Sequence, residues 1–247
     1  ILVAINGKDT GWKALEQAKV IAQYDQSTIN GLHVIQKEYD PSDANNRKLQ
    51  SEFRKRVKSE DLKAHFVFEK GEVVPLLNER AMWNDLLIFS LEHPPEDKPV
   101  ARLRSNLRTL IQTCPRPLLA VPSPSPMQNA LLAYDGSPKS NEALFLGAYL
   151  VEKWNIQLTV ITALEDSITK FSPLKLAGEY LESRAIKASL IERVGKPSSV
   201  ILDTMAKQGC DFIIAGGYGH RPVMEVLLGS TLDVLLRTSK KPIFICH

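Results

Sequence analysis

The stretch ALLAYDGSPKSNEALFLGAYLVEKWNIQLTVITAL, residues 130–164, decides how this chain folds. It opens with an apolar run, passes through a short glycine-containing turn into a helical pattern, and closes with a second apolar run. Two β-rich runs around one helix are typical of a βαβ unit, whose strands are parallel. The stretch ILVAINGKDTGWKALEQAKVIAQYDQSTINGLHVI, residues 1–35, has the same order of elements. The pattern predicts an internal repeat.

The rest of the chain extends the repeat. NDLLIFS at 84–90 matches CDFIIAG at 210–216, and TCPRPLLAVPS at 113–123 matches SKKPIFICH at 239–247. The segment PSPSP, residues 122–126, lies between the copies, where stiff extended prolines separate folding units. We therefore expect two domains, residues 1–122 and residues 128–247.

Within the second copy the β-rich and helical runs alternate. We predict strands at Ala130–Tyr134, Gln157–Thr162, Lys187–Ile191, Phe212–Ala215 and Pro242–Cys246. We predict helices near Pro138–Lys153, Leu174–Glu182, Pro197–Lys207 and Ser230–Thr238. Strands such as DFIIA are apolar on both faces, which indicates helices on both sides of a sheet. The predicted fold class is α/β, with two tandem, doubly wound, mainly parallel five-stranded sheets.

The last strand of each copy is short and apolar, and would be an exposed sheet edge if left alone. We expect PLLAVP and PIFICH to pack the two copies together as a pseudo-dimer within one chain. A further homodimer is left open.

Composition excludes several classes of protein. The 247 residues carry a net charge of +3, with 44% hydrophobic and 24% charged residues, which is typical of a globular protein without a nucleic-acid-binding stripe. No apolar run is long enough for a membrane span. The three cysteines form no close pair, so neither a disulfide framework nor a zinc site is indicated, and the expected location is cytoplasmic.

The segment AGGYGHRPVMEVLLGST, residues 215–231, carries the candidate chemistry. Gly216, Gly219 and Gly229-Ser230 give the spacing G-x2-G-x9-G-[ST] after a predicted buried strand. Glycines allow close approach to the main chain, and a helix beginning after Ser230 would offer free N–H groups. A phosphate binds where such donors converge.

This spacing resembles the ATP-binding signature of the universal stress protein family, and AYDGSPKSNEAL resembles that family's first strand, acidic turn and first helix. The resemblance covers the whole chain as two copies. It implies an adenine-nucleotide alpha hydrolase-like fold that binds ATP, or AMP or ADP. The positions that it assigns to the nucleotide are Ala133, Asp135, Ala163, Ala215, Gly216, Gly219, Gly229, Ser230 and Thr231. Asp135 would take a ribose hydroxyl or a magnesium ion.

Each part of this pattern also has a plain structural interpretation. Glycines after a strand commonly form only a turn, a serine before an apolar run is commonly a helix cap, and Asp135-Gly136-Ser137 reads as an ordinary turn. Their joint occurrence at the predicted loops favours nucleotide binding.

The first copy departs from the pattern. Asn6 stands in place of Asp135, SLEH at 90–93 replaces the glycine loop, and Arg104 approximately replaces Gly229. We predict that this copy does not bind ATP in the same way, although Arg102 and Arg104 leave another anion open. His33 reads as a core or edge residue rather than a base.

The sequence thus favours an ATP-binding regulatory protein of the stress response, acting on an unknown protein partner and not on nucleic acid or a membrane. We identify no catalytic residues and no metal cluster, and neither a P-loop nor a hydrolase elbow is present. Two alternatives remain: a slow ATPase or other ATP-dependent enzyme, and an interaction scaffold that binds no nucleotide.

Overall fold

The structure is a computed structural model. It describes residues 1–35, 38–40, 42–58, 62–96, 105–164, 172–218 and 230–247. Its strands form a ten-stranded sheet in the order β3-β2-β1-β4-β5-β10-β9-β6-β7-β8. Each half has the doubly wound strand order that the repeat predicts, so the α/β fold class is confirmed.

The first half contributes five strands and the helices between them. The strands are β1 (Leu2–Ala4), β2 (Ile29–Ile35), β3 (Ala64–Lys70), β4 (Leu87–Ser90) and β5 (Leu118–Val121). The helices are a 3-10 turn (Asp9–Gly11), α1 (Trp12–Asp25), α2 (Ala44–Lys58), α3 (Val73–Ala81) and α4 (Asn106–Thr113).

The second half repeats this order. Its strands are β6 (Asn129–Ala133), β7 (Gln157–Leu164), β8 (Ser189–Val194), β9 (Phe212–Gly216) and β10 (Ile243–Cys246). Its helices are α5 (Pro138–Trp154), α6 (Leu174–Ser183), α7 (Pro197–Gln208) and α8 (Thr231–Thr238). The predicted bounds hold to within a residue or two except at β8, which begins and ends later than Lys187–Ile191. This strand is an edge of the sheet and largely exposed, so its apolar pattern is weak.

The two halves join through their last strands. β5 and β10 pair antiparallel, with Phe244 opposite Leu119 and Ile245 opposite Leu118. Every other pairing in the sheet is parallel. The expected packing through PLLAVP and PIFICH is therefore confirmed, and it merges the two sheets into one. Because the pairing is antiparallel, the carboxyl ends of the strands point to opposite edges in the two halves.

Two apolar layers cover the faces of this sheet, and each draws on both halves. Val3, Leu119, Leu132 and Phe244 belong to one layer. Leu2, Leu118, Leu131 and Ile245 belong to the other. Side chains of neighbouring residues in a strand point to opposite faces, which explains why adjacent residues belong to different layers. The core is thus continuous across the seam.

The proline-rich linker packs on α1. Gln17 is fully buried, donates from Nε2 to the Ser125 carbonyl at 3.1 Å, and accepts the Ser125 N–H at Oε1 at 2.8 Å. Lys13 Nζ donates to the Pro122 carbonyl at 2.8 Å, and the Tyr24 hydroxyl donates to the Pro126 carbonyl at 3.1 Å. Side chains of α1 therefore fix the linker along its length.

Candidate functional site

The predicted site residues that the structure describes lie along one edge of the sheet. β6 lies between β7 and β9, and all three run parallel, so their carboxyl ends lie side by side. Ala133, Ala163 and Ala215 sit at or near these ends and pack with the same apolar layer. Open α/β sheets bind ligands beyond such an edge.

Asp135 lies just beyond β6 in an exposed turn. Its Oδ1 accepts the Ser137 N–H at 2.9 Å. Partial burial raises the pKa of the Asp135 carboxyl, but hydrogen bonds from Ser137 and Ser140 outweigh this effect and leave the pKa below its usual value. The side chain is therefore ionised at neutral pH.

The same turn leads into α5. Ser137 caps this helix, accepting the Ser140 N–H at Oγ at 3.2 Å. Pro138 is the first helical residue, where its missing N–H costs nothing. The fold thus places Asp135 beside the N-terminus of a helix.

The glycine loop follows β9 and packs closely against protein. A Cβ on Gly216 would lie 3.0 Å from the backbone and Cβ of Lys139. A Cβ on Gly217 would lie 2.9 Å from the Cys246 carbonyl oxygen, which accepts the Gly217 N–H at 2.6 Å. These neighbours leave little room for a side chain at either residue, independently of any ligand.

Helix α8 begins after Ser230 with a complete capping box. Ser230 Oγ accepts the Asp233 N–H at 3.0 Å, and Asp233 Oδ2 accepts the Ser230 N–H at 3.3 Å. The first amides of a helix have no partner inside it. The capping box leaves the amides of Thr231 and Leu232 for another acceptor. Ser230 and Thr231, which the sequence predicts to be part of a phosphate cradle, thus lie at the start of α8.

Gly219, Gly229 and His220 lie outside the described residues. The last residue that the structure describes before this gap is Tyr218, whose hydroxyl donates to Asp233 Oδ1 at 2.7 Å. Both residues are buried, Tyr218 at 2% exposure and Asp233 at 1%. This bond joins the glycine loop to the first turn of α8.

Comparison with known proteins identifies the family. The profile described as the universal stress protein family matches residues 127–247. A universal stress protein from Archaeoglobus fulgidus has the same fold over 99% of this chain and 94% of its own, with a TM-score of 0.78 and 19% sequence identity. Residues 127–247, the second half of the chain, belong to the universal stress protein family.

Two curated universal stress proteins match parts of the chain. One, from Synechocystis sp., is 25% identical over 144 residues, which are 57% of this chain and 50% of the relative. The other, from Methanocaldococcus jannaschii, is 31% identical over 81 residues, which are 33% of this chain and 48% of the relative. The chain thus spans about half the length of the curated relatives that it matches.

The first half of the chain is built differently at the corresponding edge. Ser90 replaces Gly216, donates from its hydroxyl to the Thr10 carbonyl at 2.7 Å and accepts the Ala14 N–H at 3.2 Å. Glu92 forms an ion pair with Lys8 at 3.6 Å. A serine bonded to the backbone thus takes the place of Gly216, and an acid takes the place of Tyr218. Arg102 and Arg104 lie outside the described residues.

His33 serves the fold of the first half. Its Nδ1 lies 2.6 Å from the Ile5 carbonyl oxygen, so this ring nitrogen must carry the proton. The ring also meets the Phe68 ring edge-on, with centroids 5.6 Å apart. These contacts agree with the interpretation of His33 as a core or edge residue.

Sequence reasoning missed two residues near the candidate site. Asp233 completes the capping box, and the spacing Ser230-x-x-Asp233 is a known signal for one. Arg108, in α4 of the first half, holds its guanidinium carbon 4.0 Å from the centre of the Tyr218 ring. No local pattern announces that contact.

The described part of the chain holds no group of three or more His, Cys, Asp or Glu residues that could bind a metal ion. Its helices include none with the length and apolarity of a membrane span.

Proposed function

We propose that the chain is an adenine-nucleotide-binding regulatory protein of the stress response, and that its second domain holds ATP. The observation that carries the proposal is the convergence of three features at one sheet edge: the ionised Asp135, the glycine loop after β9, and two first-turn amides of α8. Converging amides favour phosphate oxygens, because each donates a hydrogen bond and the helix dipole adds positive potential.

Each residue has a proposed role. Thr231 and Leu232 offer amides to phosphate, and Ser230 adds a hydroxyl; Gly219 and Gly229 extend the cradle. Ala133, Ala163 and Ala215 would face the base and ribose, since small side chains leave room beside the sheet. Gly216 lets the loop turn close to α5. Asp135 would bind a ribose hydroxyl or a magnesium ion that neutralises the phosphates.

The two halves are proposed to differ in nucleotide binding. We propose that residues 1–122 and 128–247 are separate domains of unequal function, and that the first does not bind ATP in this way. Ser90 and the Glu92–Lys8 pair support this assignment, since a carboxylate repels phosphate and Ser90 already bonds to the backbone. The first domain then serves as an interaction scaffold.

The proposed mechanism is occupancy. ATP bridging the loops after β6 and β9 would stabilise one conformation, which a protein partner distinguishes from the empty state. Fast hydrolysis is not expected, because no residue of the glycine motif is identified as a catalytic base or an arginine finger. The expected location is cytoplasmic.

The direct experiment is to denature purified protein and identify released nucleotide by mass spectrometry, with titration of ATP and AMP by calorimetry. We expect about one adenine nucleotide per chain. Ser230→Ala should weaken binding, and Asn6→Ala, at the matching turn of the first domain, should leave it unchanged. Absence of both bound and titratable nucleotide would overturn the proposal in favour of the scaffold, and rapid turnover of ATP would favour an enzyme.

A further inference from the structure

Arg108 occupies a place where local physics does not favour an arginine. It is the third residue after Ser105, the N-cap of α4, and α4 corresponds to α8 in the repeat. The matching residue of α8 is Asp233, whose carboxylate accepts an amide at the helix start. A guanidinium cannot accept a hydrogen bond from an amide N–H. Its positive charge also lies at the positive end of the helix dipole, which is unfavourable. Ser105 also makes no side-chain cap bond.

The Arg108 side chain is instead directed across the seam between the halves. It is 4% exposed, and its guanidinium carbon lies 4.0 Å from the centre of the Tyr218 ring. An arginine over a tyrosine ring is attracted by the ring's negative face, and the attraction strengthens when water is excluded. A cation of the first half thus packs on the loop of the second.

Tyr218 passes this contact on to the candidate cradle. Its hydroxyl donates to Asp233 Oδ1 at 2.7 Å, and the other oxygen of Asp233 accepts the Ser230 N–H at 3.3 Å. The chain of contacts from Arg108 therefore ends at the first turn of α8. That turn holds the two amides assigned to phosphate.

A second residue of α4 approaches the same loop. Ile111 Cγ2 lies 3.8 Å from the position that a Cβ on Gly217 would occupy. The Gly217 N–H is meanwhile fixed to the Cys246 carbonyl at 2.6 Å. The loop after β9 is thus held between β10 of its own half and α4 of the other half.

We propose that Arg108 is a positioning residue for the nucleotide site of the opposite half. It holds the Tyr218 ring so that the Tyr218 hydroxyl fixes Asp233, and with it the N-terminus of α8, in the orientation that presents amides to a phosphate. The inference rests on the proposed function. It adds that the first half, without binding ATP itself, is part of the site that does.

The test measures the Kd for ATP by calorimetry on the full chain, beside the melting temperature without nucleotide. Arg108→Met removes the cation and retains a long side chain, and Arg108→Lys restores the cation. Tyr218→Phe keeps the ring under Arg108 and removes the bond to Asp233. Leu110→Ala is the matched control, because it opens a cavity at a buried residue of the same helix, and residues two positions apart in a helix, such as Arg108 and Leu110, do not share a face.

We expect Arg108→Met and Tyr218→Phe each to raise the Kd by about tenfold, the effect of losing one desolvated cation–π contact or one hydrogen bond to a carboxylate. Arg108→Lys should recover most of the affinity. Leu110→Ala should lower the melting temperature at least as much as Arg108→Met does, yet it should change the Kd by less than about twofold. Recovery by lysine and the silent control are outcomes that a merely structural role would not produce.

The failures can be told apart. If the unmodified chain binds no ATP, the proposed function fails and the inference fails with it. If the unmodified chain binds ATP and Arg108→Met binds it equally well, only the positioning role is overturned. If Leu110→Ala weakens binding as much as Arg108→Met, the effect is one of general stability and the inference is again wrong. Should Arg108→Met not fold, Tyr218→Phe decides in the same way.

Discussion

Asn6 and Asp135 close the same turn at matching places in the two halves. Asn6 Oδ1 accepts the Lys8 N–H at 3.0 Å, and Asp135 Oδ1 accepts the Ser137 N–H at 2.9 Å. An amide oxygen and a carboxylate oxygen close this turn equally well. The negative charge of Asp135 is therefore not required by the turn, and it is free to meet a ligand.

Asp135→Asn is expected to separate fold from function. The turn keeps its acceptor, so the free energy of unfolding at neutral pH should change by less than about 0.5 kcal/mol, as for an ordinary surface substitution. The Kd for ATP in the presence of magnesium should rise by about tenfold, because a charged oxygen ligand is lost. Chemical denaturation and calorimetry measure the two effects. A large loss of stability with unchanged affinity would contradict this assignment.

Asp135→Asn should also change how the stability of the fold depends on pH. Hydrogen bonds hold the folded-state pKa of Asp135 below its usual value. The stability that these bonds contribute is present above the unfolded-state pKa of about 4 and is lost as the pH falls through the folded-state pKa. Unfolding midpoints measured from pH 6 down to strong acid should fall more steeply for the unmodified protein than for Asp135→Asn. Parallel curves would contradict the direction of the shift.

Gly216 and Gly147 should respond to alanine with opposite signs. At Gly216 the new methyl group would lie 3.0 Å from the Lys139 backbone, so we expect a loss of about 1–3 kcal/mol from overpacking. At Gly147, inside α5, the nearest atoms lie at ordinary distances from 3.6 Å, so alanine should stabilise by about 0.5–1 kcal/mol through helix propensity. Urea unfolding of both variants is the measurement. A tolerated Gly216→Ala would mean that the loop packs less closely on α5 than described.

The linker is expected to contribute to stability through Gln17. Gln17→Leu would leave the buried N–H and carbonyl of Ser125 without their partner, at a cost of about 2–4 kcal/mol. Gln112→Leu, an exposed position on α4, is the matched control and should change stability by less than about 0.5 kcal/mol. Equal effects of the two substitutions in denaturant titrations would show that the linker is not fixed as described.

The three cysteines are expected to be unreactive in the folded protein. All are free and buried, and burial raises the pKa of the Cys246 thiol to about 12. Burial likewise raises the pKa of Cys114 and Cys210. Only the thiolate is nucleophilic, so a disulfide reagent at pH 8 should label no thiol until the chain unfolds, and then all three. Labelling faster than unfolding would contradict this burial.

Periodicity and repetition in the sequence predicted most of the fold. The alternation of strands and helices predicted β6 through β10, all but β8 to within two residues, and the need to cover short apolar edge strands predicted the β5–β10 pairing. These signals are local, or follow from comparing one copy with the other. The linker shows their limit: its prolines predict stiffness, but a glutamine in an amphipathic helix gives no sign that Gln17 is buried against Ser125.

The candidate site was predictable in its position and less so in its packing. Glycines at Gly216 and Gly217 predict a close approach of something to the main chain, but not whether a ligand or the protein takes that space. In the structure Lys139 and the Cys246 carbonyl approach these two glycines. The Arg108–Tyr218 contact joins residues far apart in the chain and in opposite halves, so no spacing rule could reveal it.

The antiparallel seam between β5 and β10 relates the two halves by an approximate two-fold rotation, as in a symmetric pair of subunits. In a dimer of identical chains, a substitution at the third position of the last helix would appear in both subunits. An arginine at this position in one subunit would then also replace the aspartate in the other subunit. Two copies joined in one chain can differ at matching positions. Here α8 keeps the aspartate, and α4 carries an arginine in its place.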